Sequence, residues 1–312
     1  GIDDVFVPAM PCSTNIPRHR SKNKKVRRWP VNACVARPVS RAEISKTPAA
    51  KLAMQAEWNR LQDKKVWLIE TVLEWDDVAN EAKRLGNEVN FGWLFGLCTE
   101  KVSELKVVDV NRKFKYRVVF QGNRVVNQNW EAALFEDLGS SPATLEASRA
   151  ADMFGCAPGH DCQIADAVQA YVQAKLKGTQ TWVCLPPEAC PQTAKWAKMR
   201  KPVVMLDRAL YGHPDSGTYW EQYCDKPAQS VGFVPVGPEW PSCYRHARLN
   251  LFLVIYVDDF KLSGPKENLV EGWKLRGKGL ELDKAQPCGL YLGINHTRKE
   301  ITLPNGRKAM SF

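Results

Sequence analysis

Residues 251–256, Leu-Phe-Leu-Val-Ile-Tyr, are apolar without a break and rich in β-branched and aromatic side chains. With no one-sided alternation, the run reads as a strand buried on both faces. Asp258 and Asp259 end it, and Lys261-Leu262-Ser263-Gly264 reads as the return strand of a hairpin. Elsewhere the periodicity alternates between helix and strand. Thr47-Pro48 resembles an N-cap with proline at the first helical position, and Met54, Trp58 and Leu61 share one helical face, predicting a helix to about Lys64. A short strand is expected over 65–69, a helix over 76–85, and strands over 91–98 and 114–121. Ser141-Pro142 predicts a helix running to about Phe154. Strand-like stretches follow at 161–166, 182–185 and 291–295, with strand or helix entry at 203–210, and residues 243–246 lead into the central hairpin. Helices are expected at 220–231 and 267–280, with a last hairpin around Pro304-Asn305-Gly306. Residues 1–45 show neither period. They are basic and interrupted by Pro17, Pro30 and Pro38, so a disordered basic arm is expected there.

Composition narrows the class. The formal charge of +10, from 44 basic against 34 acidic residues, points to an anionic partner such as nucleic acid. Ten cysteines form no CxxC and five histidines form no HxH or HxxxH, which argues against a structural zinc site. No apolar stretch approaches the 18 residues of a membrane span. An intracellular protein, cytoplasmic or nuclear and not secreted, is expected.

The adjacent carboxylates Asp258 and Asp259 carry the candidate chemistry. At a buried hairpin tip they repel each other and lose hydration unless a cation neutralises them, although an Asp-Asp pair is also an ordinary turn. Two-metal phosphoryl transfer needs a further carboxylate from a neighbouring strand. Asp166, after a short strand-like segment, is the best placed, and Tyr171 follows five residues later. Lys113, Lys115, Arg117 and Arg124 gather positive charge on a second strand and its exit, a surface suited to phosphates.

These stretches resemble, in order, the reverse transcriptase of copia-type retrotransposons. Glu57, Leu61 and Trp67-Leu68 look like the family's opening pattern, and Lys115-Tyr116-Arg117-Val118-Val119-Phe120-Gln121-Gly122 its fingers strand. Ser141-Pro142-Ala143, Asp166-Ala167-Val168-Gln169-Ala170-Tyr171-Val172 and Leu185-Pro186-Pro187-Glu188 follow. Then come Leu210-Tyr211-Gly212 with Trp220, Gly232-Phe233, the box Tyr256-Val257-Asp258-Asp259, and Tyr291-Leu292-Gly293-Ile294.

The resemblance implies an α+β right-hand polymerase: an antiparallel palm sheet backed by helices, β-rich fingers, and a truncated or absent thumb. The expected regions are the arm (1–45), a fingers-like region (46–155) and a palm-like region (156–312). It implies RNA-directed DNA synthesis on an RNA template and DNA primer from deoxynucleoside triphosphates. Asp166, Asp258 and Asp259 would hold two Mg²⁺ ions, with Mn²⁺ as an alternative. Lys115, Arg117, Tyr171, Gly212 and Asp215 would meet the incoming nucleotide, and Tyr256, Leu292 and Gly293 the nucleic acid. The Tyr171 ring would exclude a ribose 2′-hydroxyl. The chain departs from the pattern where Asp215 replaces a glutamine and Thr218 an arginine. With the short C-terminal end, these departures leave open a decayed or repurposed element that binds nucleic acid without catalysis.

Overall fold

In the computed structural model the described residues are 36–103, 109, 112–133, 135, 140–302, 304–306 and 308–311. Residues 1–35 of the expected arm lie outside them. The remainder of that arm is structured. β1 (Arg37–Val39) pairs antiparallel with a longer strand, and α1 (Arg41–Lys46) follows. Its signal is a local Ser-x-x-Glu capping pattern: Glu43 N–H donates to the Ser40 hydroxyl at 3.2 Å. Arg37 meets Glu43 at 2.5 Å and the buried Glu100 at 2.7 Å, so its charge is paired within the chain.

α2 (Pro48–Asp63) buries Trp58 and Leu61 as their spacing predicts, although the Thr47 hydroxyl makes no capping bond. β2 (Trp67–Glu74) outlasts the 65–69 expected. α3 (Trp75–Leu85) presents Trp75, Val78, Ala79 and Ala82 at helical spacing to Phe91, Trp182 and Val203. β3 (Val89–Lys101), β4 (Lys113–Phe120) and β5 (Val126–Asn127) follow. α4 (Leu145–Gly155) starts later than Ser141-Pro142 suggests, because Thr144 is the residue whose side chain caps it. Ser141 is instead fixed in extended backbone, its N–H donating to the Glu221 carboxylate at 2.7 Å.

β6 (His160–Asp166), α5 (Ala170–Gln173), β7 (Gln180–Cys184), α6 (Ala194–Ala197) and β8 (Pro202–Leu206) come next. One sheet runs β1-β3-β7-β8-β2, with β4 and β5 on β3. β7 and β8 therefore return to the sheet of the N-terminal strands, whereas α4 packs on β6 and β12. The chain crosses between lobes more than once, so a single change near residue 155 does not divide them.

α7 (Ser216–Ser230), β9 (Val234–Pro235), β10 (Cys243–His246), β11 (Leu251–Tyr256), β12 (Asp259–Pro265), α8 (Lys266–Arg276) and β13 (Gln286–Pro287) complete the second sheet and its helices. Its order is β13-β6-β12-β11-β10-β9, antiparallel throughout. Leu251, Leu253, Ile255, Phe260 and Leu262 bury against residues of α7 and α8, including Trp220, Cys224, Leu269 and Leu275. Val254, on the opposite face, meets Ala143, Ala147 and Ala151. Both faces are covered, as the unbroken apolar run requires, and each such side chain contributes about 1.5–3 kcal/mol. The single strand expected over 291–295 is instead a hairpin, β14 (Leu290–Tyr291) and β15 (Ile294–Asn295), because Leu292 and Gly293 both take positive φ in a two-residue turn. β16 (Lys299–Thr302) and β17 (Lys308–Ser311) form the last hairpin. The whole is a mixed α+β fold, and among the described residues no helix is long and apolar enough to cross a membrane.

Candidate functional site

The β11–β12 hairpin places Tyr256 opposite Asp259, so Val257 and Asp258 alone make its turn. Val257 sits at φ +55°, where a β-branched side chain crowds the backbone at a cost of about 1–3 kcal/mol. Two bonds hold the turn against that strain. Trp220 Nε1–H donates to the Val257 carbonyl at 2.7 Å, and Ala167 N–H donates to the Asp258 carbonyl at 2.7 Å. The tip is thus fastened both to α7 and to the end of β6.

Asp166 closes β6 and stands in register with Asp259. Sequence reasoning put both acids at the hairpin tip; the two-residue turn leaves Asp258 there and sets Asp259 on β12 opposite Asp166. The three carboxylates do not bring one oxygen each within 4.8 Å of one another, so they form an open group. Burial, then the charge of Asp258, raises the pKa of Asp166, and the same causes push Asp259 up to about 6. A fourth carboxylate, Asp283, adds to the rise at Asp166, and its N–H donates to the Asp166 carbonyl at 2.8 Å. Sequence reasoning missed Asp283. No motif surrounds it, and its place follows from Leu282 bridging Ala167 beside the site.

The facing wall comes from β4. Tyr116, Val118 and Phe120 point into the core, so Lys115 and Arg117 point outward by strand alternation. Both line a cleft of about 400 Å³ together with Glu57, Asp166, Tyr211, Asp258 and Asp283. That volume falls within the range of small-ligand sites. Burial and the neighbouring Arg117 and Lys101 charges lower the Lys115 pKa, while Asp258 acts in the opposite direction. One wall is therefore acidic and the other basic.

Gly212 serves the wall from behind. At φ +89° its added Cβ would lie 2.1 Å from the Phe120 carbonyl, and a Cβ on Gly122 would lie 2.1 Å from the Gly212 carbonyl. Phe120 N–H donates to the Tyr211 carbonyl at 2.7 Å, so the Leu-Tyr-Gly loop docks directly on β4. Gly212 holds backbone against backbone and is not one of the cleft's lining residues. Tyr171, on α5, is half-buried, with its ring edge-on to Tyr211 at 4.6 Å, and is not one of the cleft's lining residues. Asp215 also stays off the cleft wall. It precedes α7, its N–H donating to Nδ1 of the buried His213 at 3.2 Å. Burial drives the His213 pKa down to about 4. Tyr256 is exposed at the end of β11, and Leu292-Gly293 form the β14–β15 turn; none of the three lines the cleft.

The donor set of Asp166, Asp258 and Asp259 is all oxygen, which suits a hard cation such as Mg²⁺. The raised pKa values of Asp166 and Asp259 mark the charge that such an ion would offset. The sign with pH follows. Because the Asp259 pKa is raised from 3.8 to about 6, its contribution to stability is present below about pH 4 and is lost as pH rises through 6. In chelator, Asp259→Asn should therefore raise Tm relative to the parent by a few degrees at pH 7.5 and by only about a third as much at pH 4.5. A Tm difference independent of pH would remove the charge cluster as its cause.

The chain matches no protein-family model and no curated protein.

Proposed function

We propose that this cleft is a nucleotidyl-transfer site and that the protein is an RNA-directed DNA polymerase of the copia retrotransposon kind, extending a DNA primer on an RNA template. The observation that carries the reading is the pairing of Asp166 with Asp259 beside a strained, doubly fastened turn bearing Asp258, across from Lys115 and Arg117. The right-hand arrangement of palm and fingers belongs to the same reading. Two Mg²⁺ ions held by Asp166, Asp258 and Asp259 would supply activation of the primer hydroxyl and stabilisation of the leaving pyrophosphate.

The chain's own residues do the rest by position and charge. Lys115 and Arg117 neutralise the triphosphate from the fingers side. Trp220 and Ala167 keep the turn carbonyls in place, so the Asp258 backbone is set before substrate arrives. Asp215, bonded into the α7 entry, is not a cleft-lining charge, which removes the repulsion that its substitution for glutamine would otherwise bring to the triphosphate.

Primer extension with deoxynucleoside triphosphates and Mg²⁺ on an RNA template tests the reading. Extension that needs Mg²⁺ supports it. Hybrid binding with no extension would instead make the chain a nucleic-acid-binding protein without catalysis. Tyr171 gives a second measurement. Tyr171→Val should raise the ribonucleotide-to-deoxyribonucleotide ratio of kcat/KM by about 10–100-fold, since the excluded hydroxyl gains room. Equal loss on both substrates with a lowered Tm would leave Tyr171 as a packing residue against Tyr211.

A further inference from the structure

We propose that Asp152, Cys288 and His296, with Cys162 beside them, form a site for a thiophilic divalent cation of the zinc class, one that clasps residues 286–298 to the second sheet. These residues come from α4, the end of β13, the exit of β15 and β6, so no spacing in the sequence announces them. Asp152, Cys288 and His296 each offer one donor atom within 4.8 Å of the others. His296 Nδ1 lies 3.2 Å from Asp152 Oδ2. Two ligands at 2.0–2.1 Å from a tetrahedral ion stand roughly 3.3 Å apart, so the gap already has the required width. The Cys162 thiol lies 4.0 Å from Asp152 Oδ1, beside the three but outside their mutual 4.8 Å reach, so a shift of its side chain would bring it in as the fourth donor. Sulfur and imidazole donors select zinc over Mg²⁺.

The fully buried Lys261 also faces this site. Its ammonium holds Asp152 Oδ1 at 2.8 Å, leaving Oδ2 on the His296 side. With the ion absent, one carboxylate balances one ammonium and both thiols are neutral. With it bound, two thiolates and the carboxylate balance the ion and the ammonium. Binding therefore releases two thiol protons and buries no net charge. The clasp has something to hold. β13, β14 and β15 are two residues each, and Arg298–Asp161, at 2.6 Å, is among the few polar ties from this segment to β6. The site is separate from the carboxylate cleft, since Cys162 precedes Asp166 by four residues, roughly 13 Å along β6.

The test uses the full chain, freed of metal with a chelator and kept reduced, then titrated with Co²⁺ and afterwards Zn²⁺. One equivalent of Co²⁺ should give a thiolate-to-cobalt charge-transfer band with tetrahedral d–d bands, displaced by one equivalent of Zn²⁺. Zn²⁺ should raise Tm by about 5 °C, in Asp166→Asn as in the parent. Cys288→Ser and His296→Ala should each lose the band while keeping the parent circular dichroism. Should either variant fail to fold, alkylation of the parent decides by mass spectrometry: Zn²⁺ must protect Cys162 and Cys288 from iodoacetamide. No thiolate band in the folded, reduced parent overturns the proposal. So does a band that survives both substitutions, or unprotected Cys162 and Cys288.

Discussion

On the proposed reading, Asp166→Asn should lower primer extension by about 10³-fold and at the same time raise the Tm of the metal-free chain at pH 7.5. The activity loss follows from removing one carboxylate from the set that would hold both ions, comparable to losing a preorganised group aimed at developing charge. The stability gain follows from the geometry. Asp166 lies opposite Asp259, Asp258 stands at the adjoining tip, and Asp283 adds a fourth charge. An amide keeps the hydrogen-bonding shape while removing one of these like charges, so the fold loses repulsion and little else. Opposite signs on activity and stability distinguish a ligand-holding carboxylate from one that supports the fold. Extension within tenfold of the parent, or a Tm several degrees lower, would reject the assignment. Asp283→Asn should raise Tm in the same direction with a smaller loss of extension, because its backbone already contributes a bond to Asp166 that the substitution leaves intact.

Lys261→Ala costs about 3–5 kcal/mol of unfolding free energy, a large share of what holds a typical domain folded. Lys261 is fully buried on β12, its ammonium bonded to Asp152 at 2.8 Å and the Ser148 hydroxyl at 2.9 Å, with the Tyr291 ring 4.3 Å away. Truncation leaves the buried Asp152 carboxylate without its cation and opens a cavity where the aliphatic stem packed. Replacing both partners, as Lys261→Met with Asp152→Leu, should recover most of the loss, because the pair's own attraction is largely offset by desolvation. Urea unfolding of the two single variants and the double variant, in chelator, gives the coupling directly. A loss under about 1 kcal/mol for Lys261→Ala would mean that water reaches the ammonium and that the pair is not a buried one.

Much of the frame around the candidate site was legible before any coordinates. The run Leu251–Tyr256 had to be a strand covered on both sides, and it is, with α7 and α8 on one face and α4 on the other. The helix predicted from Thr47-Pro48 and the alternation of β4 were equally direct, because helical and strand periods are local properties. Ser40-Arg41-Ala42-Glu43 was legible too, but basic and proline-rich composition outweighed a four-residue capping pattern. Ser141-Pro142 misled in the opposite way. It has the look of a helix start, yet its backbone is held by Glu221 and by the Ser242 hydroxyl, two positions far along the chain.

By itself the sequence determined the central buried strand, the helix after Thr47, where the acidic tip falls, and which strand carries the basic face, since all of these rest on neighbours within a few residues. Only the tertiary structure decided that Asp259, not Asp258, stands opposite Asp166, because a two-residue turn sets the register and one step of register exchanges the faces of a strand. It alone brought Asp283 to the cleft and carried Gly212 behind the wall. It alone joined Lys261 to Asp152, 109 positions away, and set Cys162, Cys288 and His296 around that pair. Such meetings depend on how sheets stack and where loops return. The physical reason is that these contacts join residues far apart in the chain, a condition on the whole fold that no short stretch of it can express.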